Sequence, residues 1–194
     1  MADKNFLETA FPSLRDDVRP ITEHGDLETL ELSSHVQVHV QKSMTQIEST
    51  ILSLIDLMPN EEDSVLVVGL DSEWSVDLDA QHLGHNDCYQ TVIVQLAYDN
   101  KIRIFQLSEH ICTGHFPPQS ITFLKNPHIL KVGHNIKLNL QNLQEESGVA
   151  KPFPGGVDVA YLAKQKEIVK NAHIGLADLC AKVLKAHLDK DPAT

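Results

Sequence analysis

The chain alternates between short apolar runs and stretches in which apolar residues recur every three to four positions. The apolar runs predict the strands of a sheet. They lie at residues 35–41, 64–74, 91–98, 102–107, 129–133 and 157–159. Valine alternates with polar residues in 35–41, which indicates a half-buried or edge strand with His35 and His39 on its polar side. The short turn after 91–98 predicts an antiparallel hairpin with the following run.

The stretches with helical spacing predict helices between and after these strands. They lie at residues 43–58, 117–124, 135–146, 160–163 and from 175 onwards. Ser43 and Gln46 have the spacing of a capping box, and Pro59 ends the first helix. Strands that come first and then mix with helices predict an α/β domain with a mixed sheet, in which an antiparallel meander is followed by parallel strands flanked by helices.

Composition indicates a globular protein, with 42% hydrophobic and 22% charged residues among 194. Residues 1–33 are acid-rich and lack periodicity, so we expect a mostly disordered leader before a folded domain at 34–194. The sequence contains neither a signal peptide nor an apolar stretch long enough to span a bilayer. We therefore expect an intracellular protein, nuclear or cytoplasmic, with no membrane partner and with its three cysteines reduced.

The net charge of -11 argues at first against a nucleic-acid partner, because affinity for phosphates rests mainly on lysine and arginine. The charge is unevenly distributed along the chain. Residues 1–100 carry 4 basic and 19 acidic side chains, whereas residues 101–194 carry 12 basic and 8 acidic ones. The total charge therefore excludes no class of partner for a particular surface.

Asp71 and Glu73 follow the apolar run that predicts the central strand. Two residues apart on an extended chain, they point to the same face. Two like charges at the end of a buried strand repel each other, and a divalent cation held by carboxylate oxygens would offset them. The alternative is a solvated strand end, since Asp26 and Glu28 have the same spacing with no strand before them.

A second metal hypothesis concerns two predicted loops that would emerge at the same end of the sheet. Their side chains include zinc-binding types, namely His82, His85, Asp87, Cys88, His110, Cys112 and His115. The spacings match no standard zinc module, so polar loop histidines are the favoured interpretation.

Six segments with a characteristic order follow one another from the central strand to the C-terminus, namely residues 69–74, 92–96, 130–136, 157–163, 175–180 and 188–190. In order and spacing they resemble the 3'-5' exonuclease family of ribonuclease D and the Werner-syndrome exonuclease domain. The resemblance implies a ribonuclease H-like, three-layer fold with a mixed central sheet. The helix that ends this domain in the family has no counterpart among these 194 residues.

The resemblance also implies a catalytic site of four acidic residues that hold two divalent ions, Mg²⁺ or Mn²⁺. Asp71 and Glu73 match the first two acids and would be metal ligands, and Asn139 matches the third catalytic position. The fourth acid has no counterpart here. The expected function is therefore metal-dependent hydrolysis of phosphodiester bonds from a 3' end, with impaired activity. The alternative is an inactive pseudo-exonuclease that serves as a nucleic-acid or protein-binding scaffold.

The expected partner is the 3' end of DNA or RNA, single-stranded. Trp74 either packs at the strand end or stacks on a terminal base. His134, Asn135 and Lys137 belong to the segment around the second motif and are further candidates for substrate binding. The sequence does not distinguish DNA from RNA, because that choice depends on contacts to the 2'-hydroxyl.

Overall fold

Six strands form one mixed sheet in the order β1-β4-β3-β2-β5-β6. They are β1 (Gln37–Gln41), β2 (Leu66–Val76), β3 (Tyr89–Tyr98), β4 (Lys101–Gln106), β5 (Ile129–Gly133) and β6 (Gly156–Asp158). β3 pairs antiparallel with β2 and β4, whereas β1 with β4, β2 with β5, and β5 with β6 are parallel pairs. The predicted α/β class, with an antiparallel meander followed by parallel strands, is confirmed.

The structure, a computed structural model, describes residues 27–58, 64–76 and 89–189. The chain divides into two units. The larger unit, Leu32–Val159, contains the whole sheet, and the smaller comprises Met1–Glu31 and Ala160–Thr194. Most of the predicted leader and the four zinc-type residues of the first loop lie outside the described residues.

In the described part of the larger unit, four helices connect the strands. They are α1 (Met44–Ile55), α2 (Ser108–Cys112), α3 (Pro118–Lys125) and α4 (Ile136–Glu146). Ser43 caps α1 as predicted, because the backbone N–H of Gln46 donates to Oγ of Ser43 at 3.3 Å, which is one of the two bonds of a capping box. The short helix α2 was not predicted, since five residues are too few to show a helical period.

The core of the larger unit lies on one face of the sheet. Leu66, Val68 and Leu70 of β2 are buried there, while α1, α3 and α4 supply the opposing apolar side chains. The most deeply buried of these are Ile47, Ile51, Phe123, Ile136 and Leu143. Each such side chain contributes roughly 1.5–3 kcal/mol on burial. This packing fixes α4 against the sheet.

β1 is an edge strand that pairs only with β4 among the described strands. Val38 and Val40 are 46% and 53% exposed, so the edge interpretation of this segment is right and the half-buried one is wrong. Both faces of β1 are exposed except at Gln41, which is half-buried and whose Nε2 donates to Oγ1 of Thr50 on α1 at 2.8 Å. His39 is exposed, as predicted.

The smaller unit contains the helix α6 (Leu176–Leu184) and most of α5 (Val159–Gln165), which begins at the unit boundary. Both helices were predicted. Residues from the two ends of the chain meet in this unit, because the N–H of Leu30 donates to the carbonyl of His187 and the N–H of His187 donates to that of Glu28. No helix in the described part of the chain is both long and apolar enough to cross a membrane.

Candidate active site

The candidate site lies where β2 emerges from the core. Ser72 is 3% exposed, whereas Asp71 and Glu73 on either side of it are exposed. This alternation shows that the two carboxylates leave the same face of the strand, as the sequence predicts. β2 lies between β3 and β5, so both carboxylates project from a central strand.

The neighbouring strand β5 approaches β2 closely just before Asp71. A Cβ atom added to Gly133 would lie 2.4 Å from the carbonyl oxygen of Leu70. Only glycine permits this approach, since a side chain there would overlap the backbone of β2. Gly133 therefore allows the loop that begins α4 to start beside the end of β2.

Asn139 of α4 is the third residue that the structure brings to the site. Its side chain is 2% exposed, and its Nδ2 donates a hydrogen bond to Oδ1 of Asp71 at 3.0 Å. Asn135 precedes the helix with φ of +54°, a left-handed conformation that asparagine tolerates. The chain turns sharply there from β5 into α4, which carries Asn139 back to Asp71.

The oxygen atoms of Asp71 and Glu73 are the hard anionic ligands that Mg²⁺ and Mn²⁺ prefer. Asn139, in contrast, directs an N–H group at Asp71, so in this arrangement it stabilises the carboxylate as a donor. Within the described residues no group of three or more histidine, cysteine, aspartate or glutamate side chains could hold a metal. Asp71 and Glu73 would therefore serve as ligands of one divalent cation, and the described residues offer no ligands for a second.

His134 and Asn135 lie at the same edge of the sheet as the carboxylates. They follow β5 directly, β5 runs parallel to β2, and carboxyl ends of parallel strands share an edge. Lys137 is exposed and lies two residues before Asn139 on α4, or about 200° around the helix axis. It therefore points away from the side of α4 that contacts Asp71.

Trp74 lies at an irregularity between β2 and β3. Glu73 pairs with Ile93 and Trp74 pairs with Thr91, so Val92 is an extra residue on β3. This is a β-bulge, which bends a strand and redirects side chains. The indole of Trp74 is half-buried, and the strand continues to Val76 instead of ending at Trp74 as the apolar pattern suggested.

Two acidic residues near the site were not singled out from the sequence. Glu146 accepts a hydrogen bond from the backbone N–H of Thr91. Burial raises the pKa of its carboxyl group, and hydrogen bonds from Thr91 oppose that shift. The sequence feature that could have identified Glu146 is its position seven residues after Asn139, which places the two side chains on one side of α4. The other is Asp158, which ends β6 opposite Gly133.

The described members of the zinc hypothesis make separate contacts within the protein. Nε2 of His110 lies 2.7 Å from the carbonyl oxygen of Lys42, and Nδ1 of His115 lies 3.0 Å from Oγ1 of Thr113. Sγ of Cys112 lies 3.1 Å from Nε2 of Gln90. His110 and Cys112 of α2 and His115 after it are thus each bonded to their protein surroundings.

Comparison with solved structures shows which proteins share this fold. The catalytic core of RRP6 from Trypanosoma brucei aligns with a TM-score of 0.58 and 14% identity, covering 84% of this chain and 39% of that chain. The Nibbler EXO domain of Aedes aegypti aligns with a TM-score of 0.57 and 14% identity, covering 84% of this chain and 75% of that chain. The chain therefore shares the ribonuclease H-like fold of these two domains, as the motif order predicted.

The EXD2 exonuclease domain, in crystals soaked in Mn and Mg, aligns with a TM-score of 0.47 and 24% identity, covering 79% of this chain and 72% of that chain. No protein-family model and no curated protein sequence matches the chain.

Proposed function

We propose that this chain is a member of the 3'-5' exonuclease family that binds a divalent cation and a nucleic-acid 3' end. The observation that carries this proposal is the contact between Asn139 and Asp71 at 3.0 Å. Asp71 matches the first motif position of the family and Asn139 the third, and the contact brings them together on the central strand β2. The fold of the chain is also that of two exonuclease domains.

Asp71 and Glu73 are the proposed ligands of the cation, Mg²⁺ or Mn²⁺. A cation held there supplies positive charge to the scissile phosphate and lowers the pKa of an attacking water. The two carboxylates bind and orient it, while Asn139 fixes the orientation of the Asp71 carboxylate through its hydrogen bond. His134 and Asn135, at the same edge, are proposed to contact the nucleic-acid backbone.

Hydrolysis by this chain is proposed to be weak. The neutral amide of Asn139 in place of a carboxylate removes one negative charge. Its N–H group also donates a hydrogen bond to Oδ1 of Asp71, an oxygen that would otherwise bind the cation. Two-metal hydrolysis needs two ions bound side by side, and the two described carboxylates, Asp71 and Glu73, provide ligands for one ion.

The same contact favours a second candidate function, a pseudo-exonuclease that binds single strands without cleaving them. Trp74 would then provide a stacking surface for a terminal base, which aromatic side chains do without sequence preference. DNA and RNA are equally compatible with the arrangement of Asp71, Glu73 and Trp74.

The test is release of labelled mononucleotide from the 3' end of single-stranded DNA and RNA, with Mg²⁺ or Mn²⁺. We compare the wild type with Asp71→Asn, which keeps the size of the side chain, and with Asp56→Asn, the same change at the exposed end of α1. Slow release that Asp71→Asn abolishes and Asp56→Asn leaves intact supports the exonuclease. Strand binding without release supports the scaffold, and loss of both by a folded wild type refutes the proposal.

A further inference from the structure

Glu146 makes a contact that links the last turn of α4 to the bulge beside the candidate site. The backbone N–H of Thr91 donates to Oε1 of Glu146, and Thr91 is 0% exposed. Thr91 is the residue that pairs with Trp74 immediately after the bulge. A side chain from a helix thus satisfies a backbone donor inside the sheet.

The bulge explains why a side chain is needed there. The carbonyl of Val92, the extra residue, accepts a bond from the N–H of Leu107, which follows β4. The extra residue at the bulge disrupts the ladder at this point, and a buried N–H without a partner would be costly.

One helix therefore contacts both β2, which carries Glu73, and its neighbour β3. Asn139 holds Asp71 on β2, and Glu146, seven residues later, holds Thr91 on β3. Seven residues are about two turns, or roughly 10.5 Å along the axis. Glu73 lies between these two attachments, paired with Ile93 on the other side of the bulge.

We propose that Glu146 is a positioning residue of the candidate site, whose carboxylate maintains the bulge and thereby fixes the direction of Glu73 and Trp74. The effect of Glu146 on metal binding at Glu73 rests on the proposed function. The effect of Glu146 on the bulge rests only on its hydrogen bond with Thr91.

The test uses Trp74, the only tryptophan of the sequence, as a reporter at the bulge. Three readouts are its emission spectrum, its quenching by Mn²⁺ as a titration of metal affinity, and the amide resonance of Thr91. Glu146→Leu removes the hydrogen-bond acceptor of the Thr91 N–H. Glu146→Asp shortens the side chain by one methylene and so moves the carboxylate away from Thr91. Glu146→Gln keeps an acceptor oxygen without the charge. The matched control is Glu145→Gln, at the neighbouring exposed acid.

We expect Glu146→Leu to shift the Trp74 emission and the Thr91 resonance and to weaken Mn²⁺ binding about 10-fold or more, the usual effect of losing a residue that orients a metal ligand. Glu146→Asp should act in the same direction, and Glu146→Gln should restore most of the wild-type signals. If Glu146→Leu does not fold, the comparison of Glu146→Asp with Glu146→Gln tests the proposal instead. Unchanged emission, Thr91 resonance and Mn²⁺ affinity in folded leucine or aspartate variants would overturn the proposal.

A failure of the proposed function gives a different result. The wild type would then neither bind Mn²⁺ near Trp74 nor release nucleotides, while the emission and the Thr91 resonance would still respond to Glu146→Leu. That pattern would retain Glu146 as the residue that fixes the bulge and reject the metal site.

Discussion

Nδ2 of Asn139 donates a hydrogen bond to Oδ1 of Asp71 at 3.0 Å, and this bond joins the helix α4 to the central strand β2. The amide gives one oxygen of Asp71 a hydrogen-bond donor in place of a cation. The substitution of this one amide by an acid is therefore a direct way to change the chemistry of the site.

Asn139→Asp should make folding depend on a divalent cation. Without metal, two carboxylates about 3 Å apart repel, and we expect a loss of roughly 1–3 kcal/mol in the free energy of unfolding. Added Mn²⁺ should raise the melting temperature more than it does for the wild type. Thermal unfolding with and without Mn²⁺ measures both effects.

The matched control for that experiment is Asn142→Asp, the same substitution three residues later on α4. It adds the same charge and should show no gain in Mn²⁺ response. An Asn139→Asp variant whose stability is unchanged in both conditions would contradict the assignment of Asn139 to the metal site.

Gly133→Ala should disturb the site through the backbone. Its Cβ would lie 2.4 Å from the carbonyl oxygen of Leu70, one residue before Asp71, so the strands must separate. We expect a loss of about 1–3 kcal/mol, as for other overpacked sites. Gly175→Ala, where the nearest atom would be 3.9 Å away, should lose less, about 1 kcal/mol or below, because alanine is a poorer N-cap than glycine for α6. Urea unfolding followed by Trp74 fluorescence compares the two, and equal losses would refute the close approach.

Gly155→Ala and Gly148→Ala separate backbone strain from steric contact. Both glycines have positive φ, +76° and +67°, so each alanine variant should lose roughly 1–2 kcal/mol. Only at Gly155 would the new Cβ also meet an atom, the carbonyl oxygen of Ile129, at 2.6 Å. Gly155→Ala should therefore be the less stable by about 1 kcal/mol or more in urea unfolding. The reverse order would contradict the geometry of this turn.

Lys131 should make stability depend on pH in the alkaline range. Its side chain is 0% exposed, and burial lowers the pKa of its ammonium group from 10.5 to about 8. A base whose pKa is lower in the folded state contributes stability that is present above pH 10.5 and lost as the pH falls through 8. Its contribution should therefore increase between pH 7 and pH 10.

The comparison for Lys131 is with Lys131→Met, which keeps a long apolar chain but cannot titrate. The difference in unfolding free energy between wild type and variant should grow in favour of the wild type as the pH rises. The variant also leaves the carbonyls of Asn126 and Ile129 without their donor, which is a loss at every pH. A difference that is the same at pH 7 and pH 10 would refute the shifted pKa. Lys137→Met, at an exposed site, is the control.

The sequence by itself predicted most of the elements and proposed Asp71 and Glu73 as site residues. Hydrophobic periodicity is a local property, so the strand that carries Asp71 and Glu73, the capped helix after Ser43 and the helix that carries Asn139 could all be predicted. The order of the motifs gave the ribonuclease H-like fold, since that order follows the connectivity of the chain.

Only the tertiary structure decided which atoms meet. Whether Asn139 offers its oxygen or its N–H to Asp71 depends on how α4 packs on the sheet, and no spacing encodes it. Glu146 gained its significance from its hydrogen bond with the N–H of Thr91, next to the bulge at Val92. Such contacts join residues far apart in sequence, and they depend on small shifts of register that side-chain patterns do not record.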